Sequence, residues 1–276
     1  MENLLAKYRP LHLADVRGQP DVVRALALFA QDPYPTAFLL HGESGIGKTS
    51  TATALANELG CVIDDNELGG FSEIASGEQT KDSVKDKLNY LRYRPLMGSG
   101  WRVLVVNEAD QMSIAAEGVW LDALEHLTNQ TVIIFTTNAP GKLSRRLRDR
   151  CEVFGFEWES AKLQPAIQDL ARTVWLKEVG HGEPPGLDTL GMPTLGNLDE
   201  MHASFRLALQ QLTRLVREAK AGGDLDGIHK RMRKDQVFAK KAVKAKCPFC
   251  NKTSAIIPGA DEYVCPKCAE KFSVAY

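Results

Sequence analysis

Eight consecutive residues constrain this chain more than any others. Gly42-Glu43-Ser44-Gly45-Ile46-Gly47-Lys48-Thr49 fits the pattern G-x-x-x-x-G-K-[ST]. The apolar run Ala37-Phe38-Leu39-Leu40 precedes it and reads as a buried strand. Thr49 to Leu59, rich in Ala and Leu and stopped by Gly60, reads as the helix that follows. Strand, glycine turn and helix in that order make a cradle for phosphate. Glycine lets the main chain wrap closely, so that successive N–H groups point inward. The helix presents its positive end to the anion. In such a loop Lys48 meets the β- and γ-phosphates, Thr49 offers its hydroxyl to Mg²⁺, and Gly42, Ser44, Gly45, Ile46, Gly47 and Ser50 complete the wrap.

The rest of the first 155 or so residues continues the alternation. Val103 to Val106 and Thr131 to Thr136 are β-branched runs, with the helical pattern Ala115 to Leu127 between them. Strands separated by helices predict an α/β fold whose parallel sheet is covered on both faces. The Val103–Val106 run ends in Asn107-Glu108-Ala109-Asp110. Glu108, just past the strand tip, is placed to act as general base on an attacking water. Asn107 takes the preceding position, where an Asp would hold Mg²⁺. Its amide carries no charge, so weaker metal binding and slow or absent turnover are expected. Beyond Glu157 the β-branched runs disappear. Ser160 can cap a helix running towards Lys177, Pro165 falls in its early turns, and residues 181–196 form a Gly- and Pro-rich connection. Phe205, Leu209, Leu212 and Val216 mark a second helix over Met201 to Ala219. The expected units are a nucleotide-binding domain at 1–156, a helical lid at 157–221, a basic linker at 222–245 and a metal module at 246–276.

That module is read from cysteine spacing. Cys247-Pro248-Phe249-Cys250 and Cys265-Pro266-Lys267-Cys268 give two C-x₂-C pairs separated by fourteen residues. Four thiolates close a tetrahedral shell, as structural Zn²⁺ prefers, and the metal would supply folding energy to a unit too small for a core. An iron–sulfur cluster or free cysteines are the other readings. The sequence suggests a short hairpin over Asn251 to Val264, making a zinc ribbon. Phe249, Lys252, Lys267 and Lys271 are its candidate contacts to nucleic acid or protein. His229 to Lys246 holds eight Lys or Arg residues against one acid, Asp235, which suits either a solvated linker or a phosphate-binding arm.

Composition sets the outer limits. The 276 residues are 44% hydrophobic and 25% charged, which excludes a disordered, collagen-like or disulfide-scaffold chain. A formal net charge of −1 argues against a globally basic protein wrapped on nucleic acid, though not against a local patch. No apolar run approaches a membrane span, and the first residues lack a signal-peptide pattern, so no membrane partner and a cytoplasmic location are expected.

Four further segments carry a family resemblance. Lys7-Tyr8-Arg9-Pro10 with Val16-Arg17-Gly18-Gln19, and Glu73-Ile74-Ala75-Ser76 with Val84-Lys85, resemble stretches of clamp-loader AAA+ ATPases. So does Thr136-Thr137-Asn138 through Leu147-Arg148-Asp149-Arg150-Cys151. The family includes replication factor C small subunits and the bacterial clamp-loader motor subunit. Ala203 to Leu209 resembles its second-sensor segment. The resemblance implies ATP as ligand, with Tyr8, Arg9 and Val16 lining the adenine site and Asn138 as first sensor. It implies Arg150 as an arginine finger reaching a neighbour's ATP, and Arg206 as second sensor. Taken by themselves, Asn138 also suits a strand-ending turn, Arg150 is one of several clustered arginines, and Arg206 suits a helix surface. The implied partners are other clamp-loader-type subunits, a sliding clamp and DNA, primed or single-stranded. The chain departs from the family at Asn107, at Asp149 in place of Ser, and in 120–125, which holds no positive charge. The 55 or so residues after Ala221 are too few for the family's helical collar. The expected activity is ATP-driven clamp loading or related remodelling on DNA. The alternative is a nucleotide-binding structural or adaptor subunit that donates Arg150 to an active neighbour. A third reading is a zinc-ribbon nucleic-acid binder regulated by its ATPase part.

Overall fold

The computed structural model describes residues 3–63, 68–127, 130–190 and 203–222, together with the backbone of four short strands between 243 and 272. Five parallel strands make the central sheet: β1 (Thr36–His41), β2 (Phe71–Ile74), β3 (Arg102–Val106), β4 (Thr131–Thr137) and β5 (Glu152–Gly155). Their order is β2-β3-β4-β1-β5. Every residue of β3 and β4 is buried, as expected where helices cover both faces. The two-residue pleat sorts these strands into two cores. Phe38, Leu40, Val103, Val105, Val132 and Ile134 enter one, while Leu39, Leu104, Val106, Ile133 and Phe135 enter the other.

The first core is roofed by α2 (Pro20–Gln31) and α3 (Lys48–Glu58), the second by α4 (Lys81–Tyr90) and α5 (Ile114–Glu125). In the second, Trp120 meets Phe135 edge to face with ring centroids 5.2 Å apart. The expected α/β fold is thus observed. The apolar periodicity of the sequence leaves out α4, β2 and β5. α4 buries only Val84, β2 interrupts its apolar residues with Ser72 and Glu73, and β5 is an exposed edge strand, so none offers a wide apolar stripe.

α7 (Ser160–Glu178) and α8 (Phe205–Lys220) follow, after the short α6 (Arg145–Arg148). Their buried faces, Leu163, Ile167 and Val174 on one and Leu209, Leu212 and Val216 on the other, join the first core. Two expectations are corrected here. The cap of α7 is Glu159 rather than Ser160, because the Ser160 hydroxyl accepts a hydrogen bond from the Ala203 amide at 3.2 Å and ties the two helices together. α8 starts at Phe205, not Met201, because Ser204 accepts from the Leu207 amide and caps it.

The first helix, α1 (Leu4–Lys7), packs against α8. Glu178, at the end of α7, accepts from the Tyr8 hydroxyl at 2.9 Å, with Lys7 Nζ and Lys220 Nζ both at 2.8 Å. Hydrogen bonds from Lys220 and Lys7 pull its carboxyl down to about 2, and burial with the Glu178 bond pushes Tyr8 up to about 12. One carboxylate therefore joins the first helix to both lid helices.

Near the C-terminus β6 (Val243–Lys246) pairs antiparallel with β7 (Thr253–Ile256), and β8 (Tyr263–Val264) with β9 (Lys271–Phe272). The expected hairpin over Asn251–Val264 is replaced, among the described residues, by pairing across each C-x₂-C segment. Val243 and Ala245 alternate with lysines, which hid β6 within the basic stretch. Cys247, Cys250, Cys265 and Cys268 lie outside the described residues, as does most of His229–Lys246. No helix among the described residues is long and apolar enough to cross a membrane.

Two stability measurements check these interactions. Trp120→Ala is expected to cost about 3–5 kcal/mol in denaturant unfolding. Trp120→Phe should cost far less, because the buried indole N–H has no partner to lose. Glu178 is ionised in the folded state down to about 2, below its ordinary 4.5, so its contribution is whole above pH 4.5 and fades as pH falls towards 2. Thermal melts of Glu178→Gln should therefore lie below those of the unsubstituted protein at pH 6, with the gap closing towards pH 2.

Candidate functional site

β1 is flanked by β4 on one side and β5 on the other, while the chain leaving it crosses to the far edge at β2. Such a switch point leaves a crevice beyond the strand ends, and the glycine loop fills its rim. Gly47 has φ +106° and nothing within 4 Å of an added Cβ, so backbone conformation rather than crowding requires glycine there. Gly45 (φ +78°) is different: a Cβ would sit 2.2 Å from the Ser204 hydroxyl, at the entrance to α8. The entrance to α8 rests on the glycine loop at this point.

Lys48 opens α3 and turns back over the loop. Its ammonium donates to the carbonyls of Gly42 and Glu43 and to Asn138 Oδ1, each at 2.7 Å. Three acceptors match the three protons of an ammonium. Burial, only partly offset by Glu43, pulls its pKa down to about 8. Asn138 thus joins the end of β4 to the loop.

The second strand end supplies Asn107 and Glu108. Thr49 Oγ1 donates to Asn107 Oδ1 at 2.8 Å, and Thr136 Oγ1 reaches the same oxygen at 3.3 Å. Glu108 adopts left-handed backbone angles, φ 50° and ψ 52°, which turn the strand end over towards the crevice. Its Oε2 accepts from Ser76 at 2.5 Å and from Gln111 at 2.7 Å. Gln79, buried, donates to the carbonyls of Asn107 and Glu108 and holds this turn. Ser76, Gln79, Gln111 and Thr136, with Glu73 behind Asn107, hold these strand ends and were missed by the motif reading. Ser76, Glu73 and Thr136 stood in segments singled out by resemblance, but nothing in the spacing gives their contacts.

A cleft of about 1120 Å³ runs from these strand ends to α1 and α8, lined by Tyr8, Arg9, Val16, Ser44, Gly45, Ile46, Gly47, Lys48, Thr49 and Ser50. Asn107, Glu108, Asn138 and Arg206 line it too. The cleft therefore brings together all the expected nucleotide residues except Gly42, which contributes its carbonyl to Lys48, and Arg150. Arg206 donates to the Ser44 hydroxyl at 3.3 Å, and its amide to the Gly45 carbonyl at 3.3 Å. Arg9, also at the cleft wall, donates to Thr53 at 3.0 Å. Arg150 stands outside the cleft, on the surface, paired with Glu125 and bonded to the Arg146 carbonyl at 3.1 Å.

A phosphate recognised by Lys48 needs the ammonium charged. Affinity for ATP is thus expected to be level up to about pH 7.5 and to fall through pH 8 and above, as measured by titration with a fluorescent ATP analogue. Lys48→Arg, charged throughout this range, should bind more weakly yet show no such fall.

Residues 38–156 match the ATPase family associated with various cellular activities (AAA). A replication factor C small subunit from Halobacterium salinarum is 29% identical over 178 residues, 64% of this chain and 54% of that protein. The one from Picrophilus torridus is 31% identical over 169 residues, 60% of this chain and 52% of that protein. The chain thus spans about half the length of these curated relatives. Among solved structures, a RuvB variant from Thermotoga maritima is similar at a TM-score of 0.60 and 18% identity, covering 82% of this chain and 73% of that one. A DNA polymerase III gamma subunit-related protein from the same organism gives 0.50 and 14% identity, covering 76% and 70%. At these identities the structures speak to fold alone. Loop, strand order, cleft and sequence likeness agree: residues 38–156 match the AAA ATPase family, and the chain is similar to replication factor C small subunits over about half of their length.

Proposed function

We propose that this chain binds ATP with Mg²⁺ and couples its binding and hydrolysis to sliding-clamp loading, or related remodelling, on DNA in replication or repair. The observation that carries the reading is the meeting of Lys48, Thr49, Asn107, Glu108 and Asn138 at the ends of β1, β3 and β4, inside one cleft. The clamp and the DNA come from the resemblance of the segments at 7–19, 73–85 and 136–151 to clamp loaders, which the likeness to replication factor C small subunits supports. In this reading Tyr8 and Val16 flank the base, and Lys48 neutralises the phosphates. Glu108 takes the proton of the attacking water, which Asn138 orients. Thr49 Oγ1 and Asn107 Oδ1 are hard oxygen donors 2.8 Å apart, a set that suits Mg²⁺. Mg²⁺ held by Thr49 and Asn107 would supply positive charge against the phosphates. Arg206 reports the nucleotide to the lid from its seat on Ser44. Arg150, outside its own cleft, acts on the ATP of an adjacent subunit.

In the same proposal Cys247, Cys250, Cys265 and Cys268 hold a structural Zn²⁺. The antiparallel pairs β6–β7 and β8–β9, each joined through a segment containing one cysteine pair, support that reading. The ribbon and the basic residues before it add a contact to DNA or to a partner.

ATP turnover with Mg²⁺, with and without primed DNA, tests the proposal against Lys48→Ala as blank. Turnover above the blank, stimulated by DNA and reduced about 10²-fold or more by Glu108→Gln, is expected. ATP binding with no turnover overturns the hydrolytic part and is the behaviour of the adaptor alternative. Zinc release on titrating the cysteines with a mercurial is expected at one ion per chain, and none in a protein lacking Cys247 and Cys250.

A further inference from the structure

Asn107 leaves the end of β3 without the negative charge that a neighbouring Asp would bring to Mg²⁺. The structure puts a carboxylate one strand away. In the parallel register of β2 and β3, Glu73 lies opposite Val105 and Ile74 opposite Val106, which brings the Glu73 side chain beside Asn107. Glu73 Oε2 accepts from Asn107 Nδ2 at 3.4 Å. On the other side of the same amide, Asn107 Oδ1 accepts from the hydroxyls of Thr49 at 2.8 Å and Thr136 at 3.3 Å. An ionised carboxylate has no proton to give, so it satisfies only the NH₂ end of an amide. Glu73 therefore dictates which way Asn107 faces. With the NH₂ turned to Glu73, the carbonyl oxygen faces the Thr49 hydroxyl, the position from which an Asp oxygen would serve the metal. Rotated by half a turn, the amide would aim N–H protons at a cation.

The other Glu73 oxygen lies 3.9 Å from Arg9 Nη2, with both side chains more than a third exposed. At that distance and exposure an ion pair is weak and screened by solvent. Arg9 meanwhile donates to Thr53 at 3.0 Å. The pairing does not use up the Glu73 charge.

We infer that Glu73 is a positioning residue for Mg²⁺ at this site: it holds the Asn107 amide with its carbonyl oxygen towards Thr49 and supplies, from β2, the negative charge that Asn107 lacks. The inference rests on the proposed ATP site. It makes the metal centre a two-strand device, with the ligand-facing oxygen on β3 and the charge on β2.

The test separates metal from nucleotide. Affinity for a fluorescent ATP analogue is measured in EDTA and again across a Mg²⁺ titration. Glu73→Ala is expected to leave affinity in EDTA unchanged and to raise the half-saturating Mg²⁺ concentration about 10-fold, as loss of a partner to a metal ligand does. Glu73→Gln, isosteric and able to accept from Asn107 while carrying no charge, should give a smaller rise and serves if the Ala variant fails to fold. Asn107→Asp combined with Glu73→Gln, which moves the charge from β2 to β3, should bring the Mg²⁺ requirement back to that of the unsubstituted protein. An unchanged Mg²⁺ requirement in both single variants overturns the inference. So does an equal loss of affinity in EDTA and in Mg²⁺, which is the mark of a merely structural role. If the unsubstituted protein binds no ATP in either condition, the proposed site itself fails and this inference with it.

Discussion

The Lys48 ammonium is the contact on which the site depends. It is 8% exposed and has three acceptors, two from its own loop and one from Asn138 just past β4. A buried charge is tolerable only when its protons are taken up, so the loop, the first turn of α3 and the end of β4 must keep one mutual geometry. The phosphate cradle is therefore not a loose glycine turn. It is pinned at the ends of two strands that the sheet aligns in register, Leu40 opposite Thr136 and His41 opposite Thr137.

From that contact the rest of the crevice is organised in layers. Thr49 follows Lys48 and reaches Asn107, and Asn107 reaches Glu73, so a chain of hydrogen bonds runs from α3 across the ends of β3 and β2. Gln79 holds the peptides of Asn107 and Glu108 from the loop after β2, while Ser76 and Gln111 hold the Glu108 carboxylate. On the opposite rim, Ser204 and Arg206 of the lid press on Gly45 and Ser44. Glu178 ties the same lid to Tyr8 and Lys7. α8 is thus in contact with the phosphate loop at one end and, through Glu178, with the first helix at the other. The glycine at 45 illustrates the point: its missing Cβ makes room for the lid as well as for the loop's own wrap.

Much of the sheet could be read in advance because its physics is local. A parallel strand covered on both faces must be apolar at consecutive positions, and Ala37–Leu40, Val103–Val106 and Thr131–Thr136 are. Lys48, Thr49, Asn107 and Glu108 were legible for a related reason: chemistry needs them next to strand ends. β2, β5 and α4 were not legible, since they sit at edges or on surfaces where polar residues are allowed. The helix start at Phe205 was missed because its cap, Ser204, is chosen by where the lid meets Gly45 rather than by periodicity. The strand β6 was hidden because lysines alternate with its apolar residues in a basic stretch.

By itself the sequence determined the phosphate loop, the two-core sheet and the residue types at its strand ends, since glycine placement, apolar runs and charge are properties of neighbours along the chain. Tertiary structure alone decided which distant groups meet. The pairing of Lys48 with Asn138, of Asn107 with Glu73, and of Glu178 with Lys7, Tyr8 and Lys220 spans from 34 to 171 residues of chain. The first two follow from strand order, which places β4 beside β1 and β2 beside β3, and the Glu178 contacts follow from the packing of α1 and α7 on α8. No local pattern encodes them, because a hydrogen bond across strands depends on which strand lies next door and on which residue lies opposite.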